Sequence, residues 1–234
     1  MPNENTTPPL SAETPVRRLE DLIAKCLPAL ATPGDHPPEY VPKSAISGEE
    51  AHGFFRAIDA GLFELSDKGQ CRPRGMRPST GYCFPLFDWE SKAKSQVRLF
   101  REWLTHAAAP ASLHLDYGYP LHDIALDVDA FDVLVYSPSN QPLVAVEVKK
   151  SSAELDKMLA EMHALEQQGW ELKYDARSSN AAQKFRSLLA FRPVFFLAIA
   201  PGVSRAYAVN YPADRAETAE LNPIEQIPAA TRQA

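Results

Sequence analysis

The chain has 234 residues, a formal net charge of -6 and a pI near 5.5, so its surface as a whole is not suited to binding polyanions non-selectively. This length is sufficient for one full domain and an extension. No apolar run reaches the roughly 18 residues of a membrane span, and the polar start has no signal-peptide pattern. We therefore expect a soluble, cytoplasmic protein that does not act at a membrane.

Three cysteines lie outside the CxxC spacing of zinc sites. Cys71 and Cys83 are close enough in sequence to pair or to share a metal ion. Free thiols are the default in a reducing cytoplasm, and we expect them here.

The N-terminal third has a different composition from the rest of the chain. Segment 1–42 holds nine prolines and few periodic apolar residues, so we expect it to be largely flexible apart from a short helix at 16–26. Segment 43–86 predicts a helix at 49–63 and then a small hairpin. Such a unit is either a wing that contacts DNA or a partner, or an appendage packed on the following domain; its shortness favours the appendage.

Residues 89–107 carry apolar side chains at helical spacing and predict the first helix of the next domain. The alternating segment 112–119 predicts a first strand, with 124–128 as its alternative. Histidines and acids in this region resemble a metal cluster, but their irregular spacing favours acids in turns, with Asp123 the one acid of interest. The residues concerned are His114, His122, Asp116, Asp123, Asp127 and Asp129.

Two apolar runs at 131–136 and 143–148, separated by the turn formers SPSNQP, predict a β-hairpin. Side chains alternate along a strand, so Glu147 and Lys149 share one face and lie roughly 6 to 7 Å apart. Asp132 opens the partner strand, and pairing across the short turn returns Glu147 and Lys149 to its side. The hairpin is therefore predicted to gather three charged side chains.

The remainder predicts a helix at 151–168, a second helix at 180–190, a buried strand at 193–200 and a further strand at 204–210 near an edge. The tail from residue 213 is polar and is expected to be loose. The fold class predicted is α/β (α+β), with a mixed central sheet flanked by helices in a domain at 87–212.

Charges are costly to bury in a sheet unless they are paired or bind a metal ion, so Asp132, Glu147 and Lys149 require an explanation. Two carboxylates can hold Mg²⁺, with the backbone carbonyl of Val148 as a further oxygen ligand. The bound ion lowers the pKa of a water, and Lys149 can orient the nucleophile or stabilise the transition state. This chemistry is that of phosphodiester hydrolysis, with Mn²⁺ as a possible substitute for Mg²⁺.

A structural salt-bridge network is the alternative explanation for the three charges. The tripeptide ExK by itself is uninformative, because it also occurs at 90–92 and 171–173 outside any comparable strand. The prediction depends on the strand led by Asp132, the turn, and the position of Glu147 within an apolar run.

These residues resemble the PD-(D/E)xK nuclease superfamily, which has the restriction endonuclease-like fold. Within it, the pattern DVLVY, turn, QPLVAVEVKK is most similar to the N-terminal nuclease domains of type I restriction motor subunits. The resemblance implies a core of helix, three strands, helix and strand, with Asp132 and Glu147 as metal ligands and Lys149 as the catalytic lysine. Phe131 stands where the motif has proline, which is a common departure.

Many relatives place a Glu on the first helix, facing the metal site. On a helix over 89–107, Glu90 and Gln96 flank the apolar stripe, whereas Glu102 lies nearly opposite it. The resemblance therefore implies Glu90 or Gln96 as an accessory residue, with a solvated flank as the alternative for both.

We predict DNA contacts by Lys150, Lys184 and Arg186, which follow the site in a basic stretch, although an ordinary solvated face would also explain them. The sequence thus predicts a Mg²⁺-dependent DNA endonuclease. Restriction or defence against foreign DNA is its expected context, and repair is the next. The sequence lacks a P-loop, so any motor would be another chain. A homodimer is a further candidate assembly. The rivals are an inactive nuclease-fold module for nucleic-acid binding or assembly, and a plain interaction protein.

Overall fold

A computed structural model describes residues 14–31, 34–77, 83–90, 95–168, 179–213 and 218–230. Within these residues the helices are α1 Pro15–Leu30, α2 Gly48–Asp59, α3 Arg101–Leu115, α4 Ser152–Gln168 and α5 Asn180–Phe191, with a short 3-10 turn at Leu121–Asp123. The strands are β1 Glu39–Tyr40, β2 Phe63–Leu65, β3 Gln70–Pro73, β4 Phe84–Pro85, β5 Phe87–Trp89, β6 Gln96–Leu99, β7 Ile124–Val128, β8 Phe131–Tyr136, β9 Pro142–Val148, β10 Phe195–Ala200, β11 Val203–Asn210 and β12 Glu220–Ile224. Residues 91–94 of the predicted first helix and the ExK tripeptide at 171–173 lie outside the described residues.

The central sheet has the strand order β12-β11-β10-β9-β8-β7. Strands β7, β8 and β9 form an antiparallel meander, and β10 then runs parallel to β9 after the two helices α4 and α5. Strand β11 returns antiparallel to β10. The predicted mixed sheet flanked by helices is therefore confirmed.

The hairpin residues alternate between two cores, one on each face of this sheet. Val133, Val144 and Val146 belong to the core that also contains buried residues of α3 and the N-terminal elements. Leu134 and Ala145 belong to the core formed with α4 and α5. The near-continuous apolar sequence of β8 and β9 follows from this burial on both faces.

The first helix of the domain is not where the sequence predicted it. Residues 87–89 and 96–99 are strands β5 and β6, which pair with each other and, through β6, with β1. Helix α3 begins at Arg101 and runs to Leu115, through the first half of the segment predicted as the first strand. The alternative first strand, 124–128, is the one observed.

Two features explain this error. Val97 and Leu99 are buried while their neighbours are less so, which is the period of a strand, and backbone pairing with β1 and β5 selects it. Helix α3 also continues past Pro110, which is buried inside the helix. Propensity rules would have ended the helix before it.

Helix α2 packs closely against α3. A Cβ atom placed on Gly53 would lie 2.9 Å from the Cβ of Ala108, so glycine is required for the two helices to approach this closely. Leu19 of α1 and Phe54 of α2 are fully buried in the same core as Val133 and Val146. The N-terminal elements thus share a hydrophobic core with the central sheet.

Two segments expected to be loose contain regular structure. Helix α1 is longer than the short helix predicted at 16–26, and its Leu19, Ile23 and Cys26 are buried. Residues of the predicted tail form β12, which pairs with β11 through backbone hydrogen bonds that do not require an apolar sequence. The predicted helix at 49–63 corresponds to α2, followed by the small sheet β2-β3-β4.

The three cysteines are free thiols, and Cys26 and Cys71 are buried. None of the described helices combines the length and the apolar character that crossing a membrane requires.

Candidate active site

The antiparallel register of β8 and β9 brings the predicted acids together. Val133 pairs with Val146 and Leu134 with Ala145, so the same register carried one residue further places Asp132 opposite Glu147. The backbone N–H of Val148 donates to Oδ2 of Asp132 at 2.6 Å. The hairpin therefore holds Asp132 against the strand that bears Glu147 and Lys149.

Glu147 is the most deeply placed of these side chains, with 1% of it exposed. Its Oε1 accepts a hydrogen bond from the ammonium of Lys149, and its Oε2 lies 2.6 Å from the ammonium of Lys184 on α5. Lys149 also donates to the carbonyl oxygen of Val148 at 3.1 Å. Two lysines therefore share one buried carboxylate.

The electrostatics of the cluster reflect burial and mutual charge. Burial, and after it the nearby Asp132 carboxylate, raise the pKa of Glu147 to about 7, against the opposing effects of Lys184 and Lys149. Burial lowers the pKa of Lys149, but the charge and hydrogen bond of Glu147 together with the nearby acids Asp132 and Glu102 outweigh burial, so the pKa is raised and the ammonium is favoured. Asp132 and Glu147 thus form a pair of like charges held close together.

Helix α3 adds an acid that the sequence argument placed on the wrong side. Burial raises the pKa of Glu102, Lys149 lowers it and Asp132 raises it again, so Glu102 lies within electrostatic reach of both site residues. A helix over 89–107 would place Glu102 nearly opposite the apolar stripe. The actual helix is buried on most of its surface, so a single stripe does not define its inner face.

His106 follows Glu102 by one helical turn and reaches the same cluster. Its Nε2 lies 3.9 Å from Oδ1 of Asp132, and only 3% of its side chain is exposed. The ring packs edge-on against Trp103 and Phe84, at centroid distances of 4.8 and 5.8 Å. Burial lowers the pKa of His106, so the neutral imidazole is favoured despite the neighbouring Asp132 carboxylate.

Glu90 and Gln96, the predicted accessory residues, do not lie on this helix. Glu90 follows β5 and pairs with Arg98 at 2.7 Å and Lys43 at 3.0 Å. The amide of Gln96, on β6, donates to Glu39 at 3.1 Å. The helix predicted to present them is absent from the described part of this region, and their accessory role stays a prediction.

The three basic residues predicted to contact DNA have different environments. Lys150 is exposed and pairs with Glu154 at 2.8 Å, so it remains available beside the site. Arg186 is only partly exposed on α5. Lys184 is 8% exposed and is directed at Glu147, so its prediction as a surface phosphate contact was wrong.

The acids before the hairpin behave as turn residues. Asp127 near the end of β7 and Asp129 in the turn that follows adopt positive φ angles of 52° and 55°, a conformation that Asp tolerates better than most residues. Across the residues described, no group of three or more His, Cys, Asp or Glu side chains is arranged to hold a metal ion. The metal cluster considered for this region is therefore not formed.

The donor set of the hairpin nevertheless suits a hard divalent cation. Asp132, Glu147 and the carbonyl of Val148 offer oxygen atoms only, which is the chemistry that Mg²⁺ prefers. A cation between the two carboxylates would also offset the effect of Asp132, whose charge raises the cost of ionising Glu147. Lys149 and Lys184 supply that positive charge in the ion-free protein.

Comparison of the chain with protein-family models, with curated proteins and with solved structures gives no match. What can be said of its function therefore depends on the geometry of its own residues.

Proposed function

We propose that the protein is a Mg²⁺-dependent DNA endonuclease of the PD-(D/E)xK type. The observation that carries the proposal is that Asp132, Glu147 and Lys149 lie together on two neighbouring strands and the end of the second. The backbone N–H of Val148 donates a hydrogen bond to Asp132 at 2.6 Å. This requires three separate features to coincide: the strand led by Asp132, the hairpin register, and a buried acid two residues before a lysine.

The order of elements supports the proposal. Helix α3, strands β7, β8 and β9, the helical pair α4 and α5, and then β10 follow one another as helix, three strands, helix and strand. Asp132 lies on the second of the three strands, and Glu147 and Lys149 belong to the third strand and its end. This is the arrangement that the superfamily resemblance implies.

Each residue then has a distinct part in hydrolysis of the phosphodiester. Asp132, Glu147 and the Val148 carbonyl would hold the ion, which when bound supplies positive charge and a more acidic water. Lys149, held as an ammonium by Glu147, lies where it can orient the attacking water and offset charge on the phosphate oxygens. Glu102, within electrostatic reach of Lys149 and Asp132, is our candidate for orienting that water.

The biological context and the binding partners are proposed from the family resemblance alone. We place the protein in restriction or defence against foreign DNA, with repair as the next context. DNA is the proposed substrate, and Lys150 is the exposed one of the three basic residues predicted to contact it. A motor chain and a second copy of the protein are candidate partners.

The testing experiment is cleavage of supercoiled plasmid and of single-stranded DNA with Mg²⁺ or Mn²⁺. Wild type is compared with Glu147→Gln and Lys149→Ala, and with Glu64→Gln, which alters an exposed acid paired with Arg74. We expect metal-dependent cutting that the first two substitutions abolish and the third leaves unchanged. Cutting that survives both site substitutions would refute the proposal.

One observation favours the inactive module as a second candidate. Glu147 is neutralised by two lysines, so the ion-free cluster has the charge balance of a structural network. Calorimetry with Mn²⁺ separates the two, because a structural network has no reason to bind the ion. DNA binding without metal binding or cutting would select the inactive module.

A further inference from the structure

Lys184 occupies a position that the proposed chemistry does not require. It projects from α5, is 8% exposed, and places its ammonium 2.6 Å from Oε2 of Glu147. Lys149 already holds the other oxygen, Oε1. Burying a second lysine ammonium beside the same carboxylate has a large desolvation cost. The contacts of Lys184 must therefore offset this cost.

The same helix also holds the turn that precedes Asp132. The ammonium of Lys184 donates to the carbonyl oxygen of Ala130, and the hydroxyl of Ser187 donates to the carboxylate of Asp129. Asp129 has a φ of 55°, an uncommon conformation for a non-glycine residue, and its bond to Ser187 helps to hold it. Lys184 therefore links Glu147 on β9 to the turn that leads into β8.

We propose that Lys184 is a positioning residue that serves as the internal counter-ion of Glu147, and that a divalent cation must displace its ammonium from Oε2 to bind. The inference rests on the proposed metal-dependent nuclease for its second half only. The counter-ion role holds for the ion-free protein whatever its activity.

Two consequences follow from this arrangement. Without metal, Lys184 compensates a buried charge and fixes the distance between β9 and the turn before Asp132. When metal binds, Lys184 is a like charge close to the incoming ion, so it weakens binding while it keeps the ligands in place. A residue with a merely structural role would give the first effect but not the second.

The first measurement is thermal unfolding of the full chain without metal, for wild type, Lys184→Met, Glu147→Gln and the double variant. We expect Lys184→Met to lower Tm by several degrees, and to lower it far less in the Glu147→Gln background, where no buried charge needs a counter-ion. Equal losses in the two backgrounds would show that Lys184 and Glu147 do not act as a pair, and would overturn the counter-ion role.

The second measurement is calorimetric binding of Mn²⁺ at a pH well above 7, because Lys184 lowers the pKa of Glu147 and its removal favours the protonated carboxyl. Folded Lys184→Met is expected to bind Mn²⁺ about tenfold more tightly than wild type, because one like charge near the ion is removed. Lys157→Met is the matched control; it removes a lysine that is 78% exposed on the neighbouring α4, and it should bind as wild type does.

Affinity for Mn²⁺ in Lys184→Met that equals or falls below the wild-type affinity would overturn the displacement. Failure of wild type to bind Mn²⁺ would refute the proposed nuclease and the displacement together. The unfolding cycle without metal would still decide the counter-ion role. The two failures are therefore distinguishable.

Discussion

At the scale of a single residue, Glu147 is where the cost of burying a charge and the attraction of neighbouring charges oppose each other. It is a carboxylate with 1% of its side chain exposed, opposite another acid and beside two lysines. Burial of this kind is unfavourable for stability, and it occurs at sites where a shifted pKa or a bound ion has a use. The cost should therefore be measurable as a pH dependence.

We expect metal-free wild type to lose stability relative to Glu147→Gln as pH rises from about 4.5 to about 7. Burial raises the pKa of Glu147 from 4.5 to about 7, so the folded protein binds this proton more tightly than the unfolded chain does. The stabilising effect is fully present below pH 4.5 and is lost as pH rises through 7. Its size is on the order of 3 kcal/mol in unfolding free energy.

Denaturant unfolding in chelator across this pH range measures the difference. Glu64→Gln controls for the loss of an acid, because Glu64 is exposed in its pair with Arg74. If wild type and Glu147→Gln keep a constant difference over the whole range, Glu147 does not titrate as described.

Glu102 is the second residue whose role can be tested alone. We expect Glu102→Gln to lower the rate of metal-dependent cleavage by about ten- to hundredfold, because Glu102 lies within electrostatic reach of Lys149 and Asp132. Glu90→Gln should leave the rate unchanged, since Glu90 pairs with Arg98 and Lys43 in a different sheet. If Glu90→Gln lowers the rate in a plasmid cleavage assay and Glu102→Gln does not, the result favours Glu90, which the sequence implied, as the accessory residue.

At the scale of elements, the position of α3 depends on its ion pair with α2. Arg101, the first residue of α3, donates to both carboxylate oxygens of Glu50 at 2.7 and 2.6 Å. Glu50 is also the acid of the capping box that starts α2, where its Oε2 accepts from the N–H of Ser47 at 2.8 Å. One buried acid thus fixes the starts of two helices.

We expect Arg101→Met to lower the free energy of unfolding by about 3 kcal/mol, because it leaves Glu50 buried without its partner. Arg17→Met is the contrast, since the pairs of Arg17 with Glu20 and Asp21 are exposed and should contribute under about 0.5 kcal/mol. Denaturant melts measure both, and equal losses would contradict the assigned role of Glu50.

At the scale of the whole molecule, one hydrophobic core extends from α1 and α2 to the central sheet. The second core, under α4 and α5, lies on the other face of the same strands. Because β8 and β9 contribute to both cores, loss of either should expose the other.

We therefore expect the chain to unfold in a single transition that Phe54→Ala shifts as a whole. Phe54 is fully buried in α2, and its truncation should cost about 3 to 5 kcal/mol. Phe100→Ala, at a side chain that is 37% exposed, is the control and should have a small effect. Calorimetry that resolves two transitions, of which only one moves, would show that the N-terminal elements fold separately.

The sequence by itself determined the hairpin and what it carries. The runs at 131–136 and 143–148, the turn between them and the spacing of Glu147 and Lys149 are local features, because strand alternation and a short turn leave few alternative registers. The helices α4 and α5 and the strands β10 and β11 were also readable from periodicity and apolar runs.

Only the tertiary structure decided where α3 begins, and with it that Glu102 lies on this helix while Glu90 and Gln96 do not. Pairing of 96–99 with distant strands overrode a helical pattern, and burial of α3 on most sides erased the stripe used to orient it. Lys184 belongs to the same class. Lys184 contacts Glu147 across 37 positions of sequence, and the contact depends on how α5 packs. No local rule therefore distinguishes a buried counter-ion from a solvated lysine.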